Sequence, residues 1–387
     1  MLTWEFPPRI IGGIARHVEG LSRELSKQHE VHVVTLDFPG SPSYEQVGSL
    51  HVHRIPVELP APTFHTWVLM FNHFFEKRVG QLAHSFGPPD VVHVHDWLTV
   101  TAGVAVKHLL RRPLIMTFHS TEVKRSLGST SPESSLVNGL EWWGSFESTK
   151  VITISNSMVN HLKSQFQIPA SKITPIYNAV DTDKFGAAVD RRAVRERWNV
   201  KAGEQLVTAV GRLTSQKGFD NLVRAFPLVV RKRPNAKLLI VGEGYMRKEL
   251  EDVARDEEVD NRTTFAGFVS DQDLVAALRS SDAVAIPSRF EPFGITALEA
   301  MAAGAPLAVS RVDGLAEIVE NGVDGLQFEP DDINGMADSI VRILSDGDLA
   351  RRLAASGREK AKRYNWSSAA ERTLEVYSAA IGEARYE

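Results

Sequence analysis

Short runs of apolar, β-branched residues alternate with longer helical patterns from one end of this 387-residue chain to the other. That alternation restricts the fold more than any other feature. Strand candidates in the first half are residues 30–36, 50–57, 91–95, 114–119, 151–155 and 173–177. In the second half they are 205–211, 237–242, 263–268, 283–287, 306–310 and 325–328. Near-continuous apolar strands separated by amphipathic segments predict parallel sheets with helices on both faces. Two such sets in succession predict an α/β chain of two doubly wound domains, and the length fits two domains of near-equal size.

The hinge is expected within 178–190, where strand character gives way to Asn, Asp, Gly and Ala. This places an N-terminal domain at 1–182 and a C-terminal domain at 183–366. A final helix, 367–387, has no adjacent strand and is expected to pack back on the first domain. The first central strand can draw only on residues 1–4, so it is either very short or the natural chain begins further upstream.

Composition removes several functions. Lys plus Arg is 44 and Asp plus Glu is 48, a net charge of −4. Nucleic-acid binders carry a basic excess, so no nucleic-acid partner is expected. With 0 cysteines there are no disulfides, zinc–thiolate sites or cysteine nucleophiles. No signal-peptide pattern opens the sequence, and no apolar run approaches the roughly 20 residues of a membrane span. A cytoplasmic enzyme without a transmembrane segment is the expectation. The apolar stretch 67–75 reads as a buried helix, Trp142-Trp143 as core with cleft lining as the alternative, and the basic stretch 191–197 as a solvated helix face.

Ligands of open α/β sheets bind beyond the carboxyl ends of the strands, so the residues just after each strand carry the chemistry. Gly12-Gly13 opens a helix and can aim free N–H groups at an anion, although a plain glycine turn reads the same way. In Gly211-Arg212-Leu213-Thr214-Ser215-Gln216-Lys217-Gly218, two cations five residues apart precede a helix, an arrangement suited to a diphosphate, although a solvated basic loop reads the same way when the segment is taken alone. It is not a P-loop: Gln216 stands where the Walker glycine belongs, and Gly218 follows Lys217 in place of Ser/Thr. Ser288-Arg289-Phe290-Glu291-Pro292-Phe293-Gly294-Ile295 joins a strand to a helix that carries Glu299 and stops at Gly304. His119 leaves one apolar strand. His93, His95 and Asp96 leave another, and because the two histidines lack a companion at ligand spacing, no metal site is expected.

Taken together, these segments resemble a retaining GT-B glycosyltransferase of family 4, in its glycogen/starch synthase-like branch. The resemblance runs almost end to end. It rests on Trp4-Glu5-Phe6-Pro7-Pro8 with Gly12-Gly13, His95-Asp96-Trp97, Thr117-Phe118-His119, Tyr177-Asn178-Ala179-Val180-Asp181, Gly211-Arg212 with Lys217-Gly218, Val241-Gly242-Glu243-Gly244, and the E-x7-E element from Glu291 to Glu299.

The resemblance implies two Rossmann-like domains facing across a cleft, with closure over a nucleoside-diphosphate sugar as co-substrate and no other cofactor. It implies Arg212 and Lys217 on the donor diphosphate, Glu291 on the donor sugar and Glu299 on the ribose. Backbone N–H groups of Gly13 and of Phe293, Gly294 and Ile295, beside Gly12 and Pro292, would hold phosphate and sugar hydroxyls. Gly267, Phe268 and Val269 would border the base, and Asn178 belongs to the donor set. His119 would touch the transferred sugar, with Asp96 near the acceptor.

The expected reaction moves a hexosyl group, glucose favoured, from ADP- or UDP-glucose to a glucan or small hydroxyl acceptor with retention. Where the family often has Gly-Gly-Leu-Pro-Glu, this chain has Asp313-Gly314-Leu315-Ala316-Glu317. A GDP-mannose-dependent mannosyltransferase acting on a lipid or polyol, a sugar-nucleotide 2-epimerase and a non-catalytic sugar-nucleotide binder stay as alternatives, and a homo-oligomer is left open. A dehydrogenase is disfavoured, because Arg247 stands where the third Gly after Gly242 and Gly244 belongs.

Overall fold

The computed structural model describes residues 1–384, so residues 385–387 of the expected last helix lie outside the described residues. The chain divides into two compact units. One joins Met1–Asn178 to the helix that starts at Trp366, and the other is Ala179–Asn365. The helix Thr182–Gly186 therefore belongs to the second unit.

Among the described residues the first unit holds seven strands: β1 (Val31–Leu36), β2 (Tyr44–Val47), β3 (Leu50–Ile55), β4 (Val92–His95), β5 (Leu114–Phe118), β6 (Lys150–Thr153) and β7 (Ile173–Pro175). Hydrogen bonding gives a set ordered β1-β3-β2 and a set ordered β4-β5-β6-β7. Leu2 joins them, bridging Val34 on one side and Val94 on the other, both in parallel. The first central strand is thus a single bridging residue, held by Leu2 N–H to the His93 carbonyl at 2.8 Å and Thr3 N–H to the Val34 carbonyl at 3.1 Å. With Leu2 counted as a strand, the order reverses between Leu2 and β4, beside the turn at Gly12 and the exit at His95.

Sequence reading missed β2. It is a short, largely polar strand that pairs antiparallel with β3, and its four residues carry no apolar run. The helix Trp366–Ala384 packs on this unit through Ala369, Ala370, Val376 and Ala380. Trp366 lies so close to the first helix that a Cβ on Gly20 would sit 2.2 Å from the indole.

The second unit contains β8 (Gln205–Val210), β9 (Ala236–Val241), β10 (Thr263–Gly267), β11 (Ala283–Ile286), β12 (Leu307–Ser310) and β13 (Leu326–Phe328). All pair in parallel in the order β10-β9-β8-β11-β12-β13. This is the doubly wound order 3-2-1-4-5-6, whose reversal between β8 and β11 opens a crevice at the strands' carboxyl ends. The core below it is apolar, with Leu222, Phe226, Leu238 and Ile240 buried. Each such side chain contributes about 1.5–3 kcal/mol by leaving water.

The stretch 67–75 lies in the helix Phe64–Phe86, which buries Val68, Phe71 and Phe75. Among the described residues no helix is long and apolar enough to cross a membrane. Trp142 departs from the core reading. It is 48% exposed and stacks on Phe146, itself 65% exposed, with ring centroids 5.5 Å apart. These residues sit four apart on the outer face of one helix, so they pair with each other rather than with the core. The helix Arg191–Arg197 is not merely solvated either: Arg195 donates to the carbonyls of Glu204 and Ser280 and pairs with Asp282.

Candidate functional site

In the second unit the two loops beside the reversal point are those the sequence singled out. The loop after β8 runs through Arg212 to Lys217, and the loop after β11 runs through Glu291 to the helix Ile295–Ala303. Backbone bonds tie them together, with the N–H groups of Arg289 and Phe290 donating to the Gln216 carbonyl at 2.8 and 3.2 Å. Lys217 Nζ then lies 2.6 Å from Glu291 Oε2, which also accepts Ser288 Oγ–H at 3.3 Å. Arg212 is exposed and has no ion pair among the described residues. One cation is therefore held in place by a carboxylate, and its neighbour is open to an anion.

Two glycines make this geometry feasible. Gly218 has φ +64°, and a Cβ there would lie 2.2 Å from the Pro287 carbonyl oxygen. Gly294 has φ +107° and starts the helix against Leu315. Both are conformations that side chains resist. The Asp313 departure leaves this contact intact, since Gly314 N–H donates to the Glu291 carbonyl at 3.0 Å while Asp313 itself takes φ 34°.

Glu299 is buried inside the helix, as are Phe293 on its entry turn and Leu298. At the end of β10, Gly267 takes φ 71°, Phe268 is 67% exposed, and its N–H reaches Glu243 Oε1 at 3.4 Å. Val269 and Pro292 continue these two loops.

Sequence reasoning missed the strut of this site, Arg289. Its guanidinium makes a two-pronged pair with Asp220 at 2.8 Å for each bond, reaches Asp331 at 2.7 Å and donates to the Ser215 carbonyl at 2.8 Å. Burial alone would raise the Asp220 carboxyl, but Arg289 and Arg224 bring it below its ordinary value. No sequence signal pairs Arg289 with Asp220, because the two are brought together by the strand crossover.

In the first unit, Ile11 and Gly12 donate their N–H groups to Glu5 Oε2 at 2.5 and 2.8 Å. An internal carboxylate thus already occupies two donors of the glycine turn ahead of the helix Gly13–Leu25. At the exit of β4, Asp96 takes φ 58° and accepts the His119 N–H at 2.7 Å. Such a backbone costs on the order of 1–3 kcal/mol and persists only where the surroundings hold it.

Burial pushes the Asp96 carboxyl up to about 6 against the pull of Arg125, 3.9 Å away. Arg125 is shared with Glu141 at 2.7 Å, and burial raises that carboxyl to about 7. His93 turns away from the site, bonding Tyr377 and Thr117. His95 instead meets His119, Nδ1 to Nε2 at 3.2 Å, and His17 joins them from the first helix, its ring centroid 4.6 Å from that of His119. Burial keeps all three rings well below the ordinary histidine pKa, His119 down to about 3. Asn178 accepts from His17 Nδ1 at 2.7 Å. His17, four residues past Gly13, was legible only as one more residue on an amphipathic helix.

The family model for glycosyl transferases group 1 matches residues 190–360, and that for glycosyltransferase family 4 matches residues 11–184. An uncharacterized glycosyltransferase of Methanocaldococcus jannaschii is 38% identical over 386 residues, covering 98% of both chains. A glycogen synthase of Mycobacterium tuberculosis is 34% identical over 398 residues, covering 98% of this chain and 94% of that one. Among solved structures, a sucrose-phosphate synthase of Thermosynechococcus elongatus superposes with a TM-score of 0.82 at 24% identity, over 96% of this chain and 94% of that one. The chain belongs to family 4 of the GT-B glycosyltransferases, in the glycogen/starch synthase-like branch.

Proposed function

We propose that this glycosyltransferase moves a hexosyl group, glucose favoured, from ADP- or UDP-glucose to a glucan or a small hydroxyl acceptor with retention, forming an α-glycoside. The observation that carries the donor assignment is the Lys217–Glu291 pair at the reversal point of the second sheet, with exposed Arg212 beside it. Lys217 and Arg212 take the diphosphate and neutralise the charge that develops on the leaving nucleoside diphosphate, so no metal is required for that step. The backbone N–H groups of Phe293, Gly294 and Ile295 at the start of the helix complete an anion-facing turn.

Glu291 holds the donor sugar, Glu299 the ribose, and exposed Phe268 with Gly267 and Val269 the base. His119 meets the transferred sugar, and Asp96 serves the acceptor. The glycogen synthase relative, at 34% identity over nearly the whole chain, supports a glucan acceptor.

The test is nucleoside-diphosphate release from ADP-, UDP- and GDP-sugars in the presence of EDTA, with and without α-glucan. Release from one glucose donor, stimulated by glucan, is expected. An altered sugar nucleotide formed without acceptor would identify an epimerase instead, and silence with every donor would defeat the diphosphate assignment.

A further inference from the structure

Three imidazoles that lie far apart in the chain meet in the first unit. One ring nitrogen from each of His17, His95 and His119 lies within 4.8 Å of the others, and all three residues are buried. The Asn178 carbonyl oxygen can only accept, so His17 donates its Nδ1–H there and keeps a lone pair on Nε2. That Nε2 is buried and has no hydrogen-bond partner among the described residues, and the same is true of His95 Nε2. Buried polar nitrogens without partners are uncommon and call for an explanation.

The third relationship is the 3.2 Å between His95 Nδ1 and His119 Nε2. A shared proton spans that distance. So do two nitrogens on one tetrahedral ion, since metal–nitrogen bonds of about 2.0–2.1 Å place them about 3.3 Å apart. We infer that His17, His95 and His119 form a binding site for a divalent transition cation of the Zn²⁺ class, with Asn178 as the group that orients His17.

The protons balance. With His95 Nδ1–H donating to His119 Nε2 before the ion binds, the ion takes the lone pairs of His17 Nε2 and His119 Nε2 and that of His95 Nδ1 after its proton moves within the same ring to Nε2. The orphaned His17 Nε2 is thereby explained as a ligand. Three neutral nitrogen ligands with no carboxylate favour Zn²⁺, Co²⁺ or Ni²⁺ over Mg²⁺ or Ca²⁺. A carbonyl that fixes the ring from behind is the usual outer support of a ligating histidine.

A second group, Glu30, His32 and His51, is also close-set, yet its protons argue against a metal. Arg78 can only donate, so His53 Nδ1 accepts at 3.0 Å and His53 Nε2–H donates to His32 Nδ1 at 3.0 Å. His32 Nε2 must then carry a proton toward Glu30, 2.8 Å away, and offers no lone pair.

The experiment titrates the full chain, stripped with EDTA and desalted, with Co²⁺ and then Zn²⁺. One equivalent of Co²⁺ should give the visible absorption of a four-coordinate ion and be displaced by Zn²⁺. The band should persist in His51→Ala, vanish in His17→Ala, and need about 10–100-fold more metal in Asn178→Ala. No band in the wild-type chain overturns the site, whatever the folding of any variant. A band that survives His17→Ala, or one lost in His51→Ala, overturns it too.

The consequence for transfer rests on the proposed role of His119, and there Zn²⁺ at saturation stops turnover. Saturation with full turnover would leave the metal site standing and remove His119 from the reaction, so the two readings fail separately.

Discussion

Lys217 Nζ sits 2.6 Å from Glu291 Oε2, joining the two loops that flank the order reversal of the second sheet. The pair places a cation at the strands' carboxyl ends, where doubly wound sheets bind their ligands. It also gives Glu291 a role before any substrate arrives, since the carboxylate keeps the ammonium from folding away into solvent.

Lys217→Ala and Arg212→Ala should each lower donor turnover by about 10²–10³-fold, the usual loss when one oriented charge on a developing anion is removed. Nucleoside-diphosphate release under saturating donor measures this. Wild-type rates in both variants would take the diphosphate out of this loop.

Arg289→Ala should cost about 2–3 kcal/mol of stability, because Asp220 loses a two-pronged, charge-assisted partner and the Ser215 carbonyl loses its donor. Donor KM should rise as well, since the same side chain braces the Lys217 loop. Denaturant melts and donor titrations test both effects, and Arg289→Lys should recover less than half of the loss because it cannot bind with two prongs.

Gly218→Ala should be more damaging than its size suggests. The added methyl group meets the Pro287 carbonyl oxygen at 2.2 Å from a backbone with φ +64°. About 1–3 kcal/mol of strain is expected, together with weakened donor binding. An unchanged melting temperature would show that the loop is softer than this geometry implies.

The Glu141 carboxyl gives a pH dependence of definite sign. Burial holds its proton up to about 7 in the folded chain, against an ordinary value of 4.5, with Arg125 opposing. Between those values the native state binds more protons than the unfolded one, so this group's contribution to stability falls as pH rises from 4.5 to about 7. Glu141→Gln should flatten that slope in chemical melts across the interval. A variant profile parallel to the wild type would mean that Glu141 titrates normally.

Trp142→Ala should change stability by less than about 0.5 kcal/mol, whereas Phe71→Ala should cost about 3–5 kcal/mol. Paired thermal melts distinguish the exposed aromatic from the buried one.

Every parallel strand predicted from an apolar run is present in the structure, because strands covered by helices are rich in apolar residues, even where, as in β4, buried histidines alternate with them. The edge strand β2 escaped for the same reason, since an edge exposed to water need not be apolar. Trp142 was misplaced because apolar character marks what a helix is able to bury and not which way it turns.

Local order in the chain was enough to place Arg212 and Lys217 just after β8, Glu291 just after β11 and Glu299 in the helix that follows, because these segments come directly after strand ends. Juxtaposition across crossovers was not readable. Arg289 meets Asp220 across 69 residues, Asn178 meets His17 across 161, and Leu2 stands between Val34 and Val94 as a one-residue strand. Such pairings depend on strand order and helix rotation, which are set by packing of the whole unit and leave no local periodicity in the sequence.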